Sequence, residues 1–233
     1  MVQLEPIGIL HTCFKEKFGI PRQPNLVKKA KAVLEFYPEF AREEAVRQLS
    51  GFSHIWLIFL FHKAVKKGKL AWSPMVRPPR LGGNKKVGVF ASRSPFRPNP
   101  LGLSCVALDG VKIKETGPVL ILSGVDILDQ TPILDIKPYL PYSDIIPGAS
   151  DGFATGPPQA KLDVGFTPHA LNQIRTQGIP DLKEIIKGIL EQDPRPAYTG
   201  NEDINRVYGI RIFDIDVKWS VSQNRVKVIA LEF

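Results

Sequence analysis

The amino-acid sequence predicts a mainly β protein, with a β-barrel in the first part of the chain and a small α+β domain after it. Short apolar stretches separated by Gly and Pro follow one another from residue 52 to residue 128, a spacing typical of a closed or nearly closed barrel. No alternation of strands with long helices is visible there, which argues against a Rossmann-like sheet. After Pro147 the sequence GASDGFATGPPQA holds almost no large apolar side chain, as expected of a domain boundary.

The barrel elements follow in order from the apolar patterns. A strand is predicted over residues 2–13 and a short helix over residues 38–49, where glutamates lie toward the positively polarised N-terminal end and Gly51 follows as the stop. Residues 52–61 have the sequence FSHIWLIFLF, apolar at both alternating positions, which predicts a central strand covered on both faces. Further strands are predicted over residues 86–92, 103–108, 111–115 and 119–128.

The second domain is predicted from two helical patterns followed by three strand patterns. The helices are expected at residues 168–176 and 180–192, and the strands at residues 207–215, 217–222 and 226–231. We therefore expect a barrel domain over residues 1–147, a linker over residues 148–160 and a small α+β domain over residues 161–233.

The composition favours a globular protein with an anionic partner. Of 233 residues, 43% are apolar, which is enough for a core, and the formal net charge is +8. The longest apolar run, Ile55–Phe61, is too short for a membrane span, and the N-terminus lacks the features of a signal peptide. We therefore expect a cytoplasmic protein without a membrane partner. Two cysteines and four scattered histidines give no metal-ligand spacing, and no metal is expected.

One long window of the chain contains no acidic residue. Between Ala45 and Leu108 there is no Asp or Glu in 64 residues, where the average composition would place about six. The same window holds eleven cations: Arg47, Lys63, Lys66, Lys67, Lys69, Arg77, Arg80, Lys85, Lys86, Arg93 and Arg97. Such a surface suits a polyanion, with nucleic acid as the first candidate. The alternative is a set of solvated loops around a buried strand.

The Pro- and Gly-rich segment over residues 77–102 is the clearest candidate for a binding site. It has the sequence RPPRLGGNKKVGVFASRSPFRPNPLG, and such loops project cationic side chains at fixed angles beside a rigid strand. Arg80, Arg93 and Arg97 have the guanidinium geometry to bind phosphate or carboxylate. The glycines match neither a P-loop nor a GxGxxG turn, which excludes a nucleoside triphosphate site and a Rossmann site.

Candidate bases follow directly after the acid-free window. Residues 126–144 contain the carboxylates Asp126, Asp129, Asp135 and Asp144 together with Thr131, Tyr139 and Tyr142. A single Asp is typical of a turn cap, but the cluster favours a role in proton transfer. His62 closes the predicted central strand beside Lys63 and is a candidate ligand contact, with a core histidine as the alternative. In the DPRPAY loop, Arg195 and Tyr198 are candidates for pairing or stacking with a nucleotide.

At these motifs the chain resembles the TrmO family, also known as TsaA-like or YaeB proteins. The resemblance is carried by KEKFGIPRQP, FSHIWLIFLFH, the 77–102 segment, LDQTPILDIKPYLPYSD and DPRPAY, which span both expected domains in family order. It implies a methyltransferase built on a β-barrel instead of a Rossmann sheet, which acts as a homodimer. It also implies transfer of a methyl group from S-adenosylmethionine to N6 of threonylcarbamoyladenosine, beside the anticodon in tRNA.

The resemblance further implies which residues contact the methyl donor. The expected contacts are Pro21, Arg22, Gln23, His62, Lys63, Arg93, Leu103, Asp126, Leu128, Asp129 and Thr131. One departure is Gln130, where the DGTP version of the family motif has Gly, so a tight backbone contact is in question at this position. The outer cations and the DPRPAY loop are expected to contact RNA through Arg77, Arg80, Lys85, Lys86, Arg97, Arg195 and Tyr198.

The catalytic base stays open at this point. The acceptor nitrogen is conjugated to a carbonyl and is a poor nucleophile, so Asp129, Asp135 and Tyr142 are all candidates to assist it. The rival to an enzyme is a non-catalytic RNA-binding module or adaptor that uses the same basic loops. A hydrolase of a small phosphorylated ligand is disfavoured because no metal-binding or nucleophile motif accompanies the cations.

Overall fold

The computed structural model describes residues 3–66, 69–70, 72–156, 162–195 and 206–233. In the first part of the chain the strands are β1 (Gly8–Thr12), β2 (Lys31–Phe36), β3 (His54–Leu60), β4 (Val65–Lys66), β5 (Lys69–Leu70), β6 (Met75–Val76), β7 (Val87–Gly88), β8 (Leu101–Lys114), β9 (Gly117–Ser123) and β10 (Thr131–Pro138). A four-residue helix, α1 (Pro141–Asp144), follows the last of them. Among the described helices, none is long and apolar enough to cross a membrane.

Six of these strands form the closed barrel that the sequence predicts. Their order around the barrel is β1, β10, β3, β8, β9, β2, and all neighbours are antiparallel. Alternate side chains fill the interior, as in β3, where Ile55, Leu57 and Phe59 are buried and the intervening residues are only half-buried. The prediction that this strand is covered on both faces was wrong, because the outer face of β3 is partly solvated.

Several predicted elements differ from the observed ones. The helix expected over residues 38–49 is absent; two short 3-10 helices, Glu43–Val46 and Leu49–Gly51, occupy part of that stretch. The strand expected over residues 86–92 consists only of β7, which precedes a 3-10 helix. The two strands expected over residues 103–115 are one long strand, β8, with a bulge between Leu108 and Gly110. A bulge breaks the alternation of buried and exposed residues, and so hides the continuity of a strand in the sequence.

The topology brings three long connections to one end of the barrel. Since neighbouring strands are antiparallel, β1, β3 and β9 end where β2, β8 and β10 begin. The connections at this end are residues 13–30, 61–100 and 124–130, and we call this end the barrel mouth. The opposite end holds residues 37–53, the turn between β8 and β9, and the exit toward α1.

The C-terminal unit is a four-stranded sheet covered by two helices. Its elements are β11 (Asp163–Phe166), α2 (Pro168–Gln177), α3 (Leu182–Glu191), β12 (Val207–Ile212), β13 (Ile215–Ser222) and β14 (Arg225–Glu232). The sheet order is β11, β14, β13, β12, with β11 parallel to β14. Thr167 caps α2 by accepting the Ala170 N–H, and Gly178 ends it in the left-handed conformation. The helices match the prediction, whereas β11 was missed.

One of the mouth connections, residues 13–30, also packs on the C-terminal unit. Phe14 forms a β-bridge with Ile212, and the Phe213 N–H donates to the Cys13 carbonyl at 2.7 Å. Gly19 has a φ of +88°, and a Cβ there would collide with the Ile210 side chain. The buried residues of both parts therefore form one continuous apolar cluster, and the connection is held between barrel and sheet. Residues 148–156 are exposed and contain no helix or strand.

Candidate active site

The segment over residues 126–131 crosses the barrel mouth and is anchored on β1 and β10. Its hydrogen bonds are Thr12 Oγ1 to the Ile127 carbonyl (3.0 Å), Thr131 Oγ1 to the Leu128 carbonyl (2.6 Å), the Asp129 N–H to the Phe14 carbonyl (2.8 Å) and the Gln130 N–H to the Leu10 carbonyl (2.9 Å). Thr12 and Thr131 are two of the few buried polar residues in the described structure. Their hydroxyls hold the segment's backbone in place, as buried polar groups must find partners.

Asp126 places a buried carboxylate at this mouth. Its Oδ1 accepts a hydrogen bond from the Ser104 hydroxyl at 2.7 Å, and Ser104 faces the barrel interior. Burial raises the pKa of the Asp126 carboxyl to about 6, although the hydrogen bond from Ser104 and the nearby charge of Arg93 oppose the shift. The Arg93 guanidinium also donates to Gln23 Oε1 at 2.7 Å. The structure thus brings together three predicted donor contacts from all three mouth connections.

His62 lies on the other side of the same segment. Its Nδ1 is 3.5 Å from Thr131 Oγ1, and the Lys63 carbonyl accepts a hydrogen bond from Lys17 Nζ. Burial, reinforced by the charge of Lys63, lowers the pKa of His62 below its ordinary value. The imidazole is therefore neutral at physiological pH, so it adds no positive charge to the barrel mouth.

The remaining predicted donor contacts also belong to the mouth. Leu103 is on the outer face of β8, opposite Ile58, and its side chain is exposed. Pro21 is buried in the 13–30 connection, and Arg22 beside it is near enough to Asp193 to feel its charge. Cations, a carboxylate and an exposed apolar side chain are the groups that would complement the carboxylate, the ammonium group and the adenine of S-adenosylmethionine. The side chains present fit this molecule.

The three candidate bases lie in different environments. Asp129 has a side chain only 9% exposed, which accepts from the Thr12 N–H and from Lys15 Nζ, both at 2.7 Å. Desolvation works to raise its pKa, but these two hydrogen bonds hold the pKa of Asp129 below its usual value. Asp135 is half-exposed along β10 and pairs with Lys137 at 3.2 Å. Tyr142 is 87% exposed in α1, at the barrel end opposite the mouth.

The predicted RNA contacts divide into exposed cations and arginines that already bind carbonyls or carboxylates. Arg77, Lys85 and Lys86 are exposed. Arg80 donates to the carbonyls of Thr155 (2.7 Å) and Gly156 (2.6 Å), and Arg97 donates to the carbonyls of Ser92 and Val89.

In the DPRPAY loop, Arg195 forms two hydrogen bonds to the Asp193 carboxylate, at 2.8 Å and 3.0 Å. Its guanidinium is therefore already occupied by an acidic partner. Tyr198 lies outside the described residues.

Sequence reasoning missed Ser104 and the left-handed conformation of Gln130. Ser104 occupies an interior position of β8 between Gly102 and Val106, and a lone hydroxyl in an apolar alternation is the signal that was available. Gln130 has a φ of +60°, which costs a residue with a Cβ about 1 kcal/mol. Its side-chain Nε2 lies 2.9 Å from His11 Nδ1. The Gly expected there would fit this backbone without strain.

Within the described residues there is no group of three or more His, Cys, Asp or Glu that could hold a metal.

Comparison with known families identifies the class of this barrel. Residues 9–145 match the tRNA-methyltransferase O N-terminal domain, and residues 159–233 match the TrmO C-terminal domain. Both matches point to a methyltransferase with a barrel fold. The chain belongs to the TrmO family, which confirms the resemblance read from its motifs.

Relatives and solved structures agree with this assignment. The chain is 44% identical over 232 residues to the tRNA (adenine(37)-N6)-methyltransferase of Escherichia coli (strain K12), with 99% of this chain and 97% of the relative covered. It is 47% identical to the putative S-adenosylmethionine-dependent methyltransferase RcsF of Pseudomonas aeruginosa, over 93% of this chain and 91% of the relative. The crystal structure of TrmO from Pseudomonas aeruginosa superposes with a TM-score of 0.82 and 37% identity, covering 100% of this chain and 99% of that one.

The buried charge of Asp126 leads to a prediction for Asp126→Asn. Because the folded-state pKa is above the usual 3.8, the native state binds more protons than the unfolded state between those two values, and stability falls as pH rises through that range. The amide can still accept from Ser104 but carries no charge. We expect Asp126→Asn to gain up to about 3 kcal/mol relative to the wild type above pH 6, and little near pH 4. Urea unfolding at both pH values measures this.

Asp109→Asn is the matched control. Asp109 also accepts a hydrogen bond from a serine, Ser123 Oγ at 2.9 Å, but it is exposed. We expect the control to show no comparable gain. The same Asp126→Asn variant should bind S-adenosylmethionine more weakly in calorimetry, because the mouth loses its carboxylate. Equal stability differences at both pH values would contradict the buried-charge account.

Proposed function

We propose that this protein transfers a methyl group from S-adenosylmethionine to N6 of the threonylcarbamoyladenosine beside the anticodon in tRNA. Its class follows from the family: the protein is an S-adenosylmethionine-dependent tRNA adenine-N6 methyltransferase, and the expected cofactor and enzyme class are confirmed. The threonylcarbamoyl group, the anticodon loop and the cytoplasmic location, where tRNA is abundant, are parts of the proposal.

The observation that carries the donor-site assignment is the convergence of Gln23, Arg93 and Asp126 at one mouth. These residues come from three separate connections and interact with one another. S-Adenosylmethionine supplies an activated methyl group on a positively charged sulfur. Methyl transfer needs an in-line approach at about 3 Å, so side chains fixed on a closed barrel supply much of the acceleration by positioning. The predicted contacts Pro21, Arg22, His62, Lys63, Leu103, Leu128, Asp129 and Thr131 lie in the same three connections or in the strand ends next to them.

We propose that the protein accelerates methyl transfer by positioning the donor and the acceptor. None of the three candidate bases removes a proton in this mechanism. Asp129 accepts hydrogen bonds from Lys15 Nζ and from the Thr12 N–H, so its charge holds the segment over residues 126–131 in place. Asp135 and Tyr142 have no described contact with the mouth connections. Buried apolar side chains fill the barrel interior, so a donor bound over them would meet little water on that side, which favours a transition state with dispersed charge.

We assign RNA binding to the exposed cations of the 61–100 connection and to the C-terminal unit. The exposed side chains of Arg77, Lys85 and Lys86 form a positive surface beside the mouth. Such a surface attracts the phosphates of RNA. The Arg195–Asp193 pair lies in the loop after α3 and near Arg22. The interaction of Arg22 with Asp193 supports a contribution of the C-terminal domain over residues 161–233 to presenting the tRNA.

The substrate is tested by incubating the wild-type protein with labelled methyl donor and total tRNA, with or without the threonylcarbamoyl modification. We expect label only in the modified sample and only in methylated threonylcarbamoyladenosine, identified by mass spectrometry of the nucleosides. The physical reason is that the threonine carboxylate gives a cationic mouth an extra charged contact. Equal labelling of unmodified adenosine would contradict the carboxylate readout, and absence of label in both samples would contradict the proposed function.

Single-turnover methylation at saturating donor tests the positioning mechanism. We expect Asp135→Asn and Tyr142→Phe to react at the wild-type rate, because neither residue contacts the mouth within one chain. Asp129→Asn should lose donor affinity, because the segment over residues 126–131 loses its ion pair with Lys15, and should recover its rate at high donor concentration. A large loss of rate in Tyr142→Phe at saturating donor would instead place this tyrosine in a site completed by a second copy of the chain.

The proposal includes a homodimer. Tyr142, Ile145 and Ile146 are large apolar side chains exposed within five residues of chain, and an exposed apolar cluster of this kind marks an interface. We expect the wild type to have twice the chain mass of 25.9 kDa in light scattering, and Ile146→Asp to shift toward the monomer. Ile113→Asp, at an exposed residue near the turn between β8 and β9, is the control. A monomeric wild type would contradict the proposal.

A further inference from the structure

Three large aromatic rings lie exposed beside the barrel mouth. Trp72, Phe90 and Phe96 are 52%, 75% and 47% exposed, and all three belong to the 61–100 connection. We call this group the aromatic platform. Neither the donor site nor the positioning mechanism uses these rings, and such a concentration of exposed aromatic surface points to an unfilled binding role.

The rings are held on a backbone that folds back on itself. The Val89 N–H donates to the Pro74 carbonyl at 3.0 Å, and the Ser73 N–H donates to the Phe96 carbonyl at 3.2 Å. The strands β6 and β7 pair directly next to the first of these contacts. The side chains therefore project from a cross-linked loop, which reduces the entropy lost when a partner binds.

The Phe90 ring forms a cation–π contact with Arg97. The Arg97 guanidinium lies over the Phe90 ring, 5.9 Å from its centre, while donating to the Ser92 carbonyl at 2.6 Å and the Val89 carbonyl at 3.3 Å. Because Arg97 is tied to this turn, it fixes the ring from one side. Most of the ring surface stays open to a second planar group.

The surroundings of the platform decide which partner fits. The window over residues 45–108 contains no Asp or Glu, and exposed Arg77, Lys85 and Lys86 lie in the same connection as the rings. An apolar protein partner would need these cations to be neutralised. Unpaired RNA offers both a phosphate chain for the cations and base faces for the rings.

The platform also lies next to the donor site along the chain. Arg93, three residues after Phe90, donates to Gln23 and feels the charge of Asp126 at the mouth. We propose that Phe90, backed by Arg97, stacks on an unpaired base of the anticodon loop next to the adenosine whose N6 enters the mouth. This inference rests on the proposed function and names the contact that orients its RNA.

The test is the affinity of the full-length protein for an anticodon stem-loop RNA, measured by fluorescence anisotropy without methyl donor. We expect Phe90→Ala to raise the RNA Kd about tenfold, within the range for loss of one base–aromatic stack. Phe90→Leu, which keeps apolar bulk without a π face, should be nearly as weak, and Phe90→Tyr should bind like the wild type. Ile113→Ala, which removes another exposed apolar side chain, is the control and should change nothing.

Two further readouts separate stacking from a structural role. The KM for tRNA should rise in Phe90→Ala while kcat and the Kd for S-adenosylmethionine stay at wild-type values. The slope of RNA affinity against salt should not change, because no phosphate contact is lost.

An unchanged RNA Kd in Phe90→Ala and Phe90→Leu would overturn the inference. Loss of the wild-type molecular mass in these variants would also overturn it, by placing Phe90 in a protein interface. Failure of the proposed function is a different result, since the wild type would then leave threonylcarbamoyl-tRNA unmethylated whatever the effect of Phe90 on RNA binding.

Discussion

The anchoring of residues 126–131 across the barrel mouth is the constraint on which the rest of the site depends. A loop with free carbonyls would not hold a ligand in one orientation, but here the hydroxyls of Thr12 and Thr131 bind the Ile127 and Leu128 carbonyls. Both threonines are at the ends of barrel strands, so closure of the barrel fixes the loop. Asp126 starts the segment, and its position beside Ser104 follows from that anchoring.

The burial of the ionised Asp126 carboxylate costs stability. The size of this free-energy cost shows that stabilisation of the fold does not account for an aspartate at this position. A pKa raised from 3.8 to about 6 corresponds to about 3 kcal/mol at neutral pH, a large part of a typical free energy of unfolding. This cost remains although the hydrogen bond from Ser104 already lowers the pKa. A neutral side chain would stabilise the barrel more, whereas a carboxylate near Arg93 agrees with the donor site that we propose.

The sequence was sufficient to predict the barrel and to single out the segments that the structure brings to its mouth, but insufficient for the elements that depend on tertiary contacts. The apolar alternation that marks β3 and the motifs around Arg93 and Asp126 are local signals. The helix predicted over residues 38–49 rested on charge placement, but two 3-10 helices form there instead and bury Val46 at the barrel end opposite the mouth. The strands β2 and β10 were not predicted, because their alternation is interrupted by charged residues and proline. The Asp126–Ser104 contact joins the 124–130 connection to β8 across 22 residues of chain and has no local signal.

The 13–30 connection links the donor site to the C-terminal unit. It carries Pro21, Arg22 and Gln23 toward the mouth, and the same connection is bridged to Ile212 through Phe14. Gly19 fits against Ile210 only because it has no side chain. A shift of the C-terminal sheet would therefore move Gln23 relative to Arg93, to which it is hydrogen-bonded. The proposed RNA contacts of the C-terminal unit and the proposed donor contacts of the barrel would in this way be held in one frame, which is what an in-line transfer at about 3 Å requires.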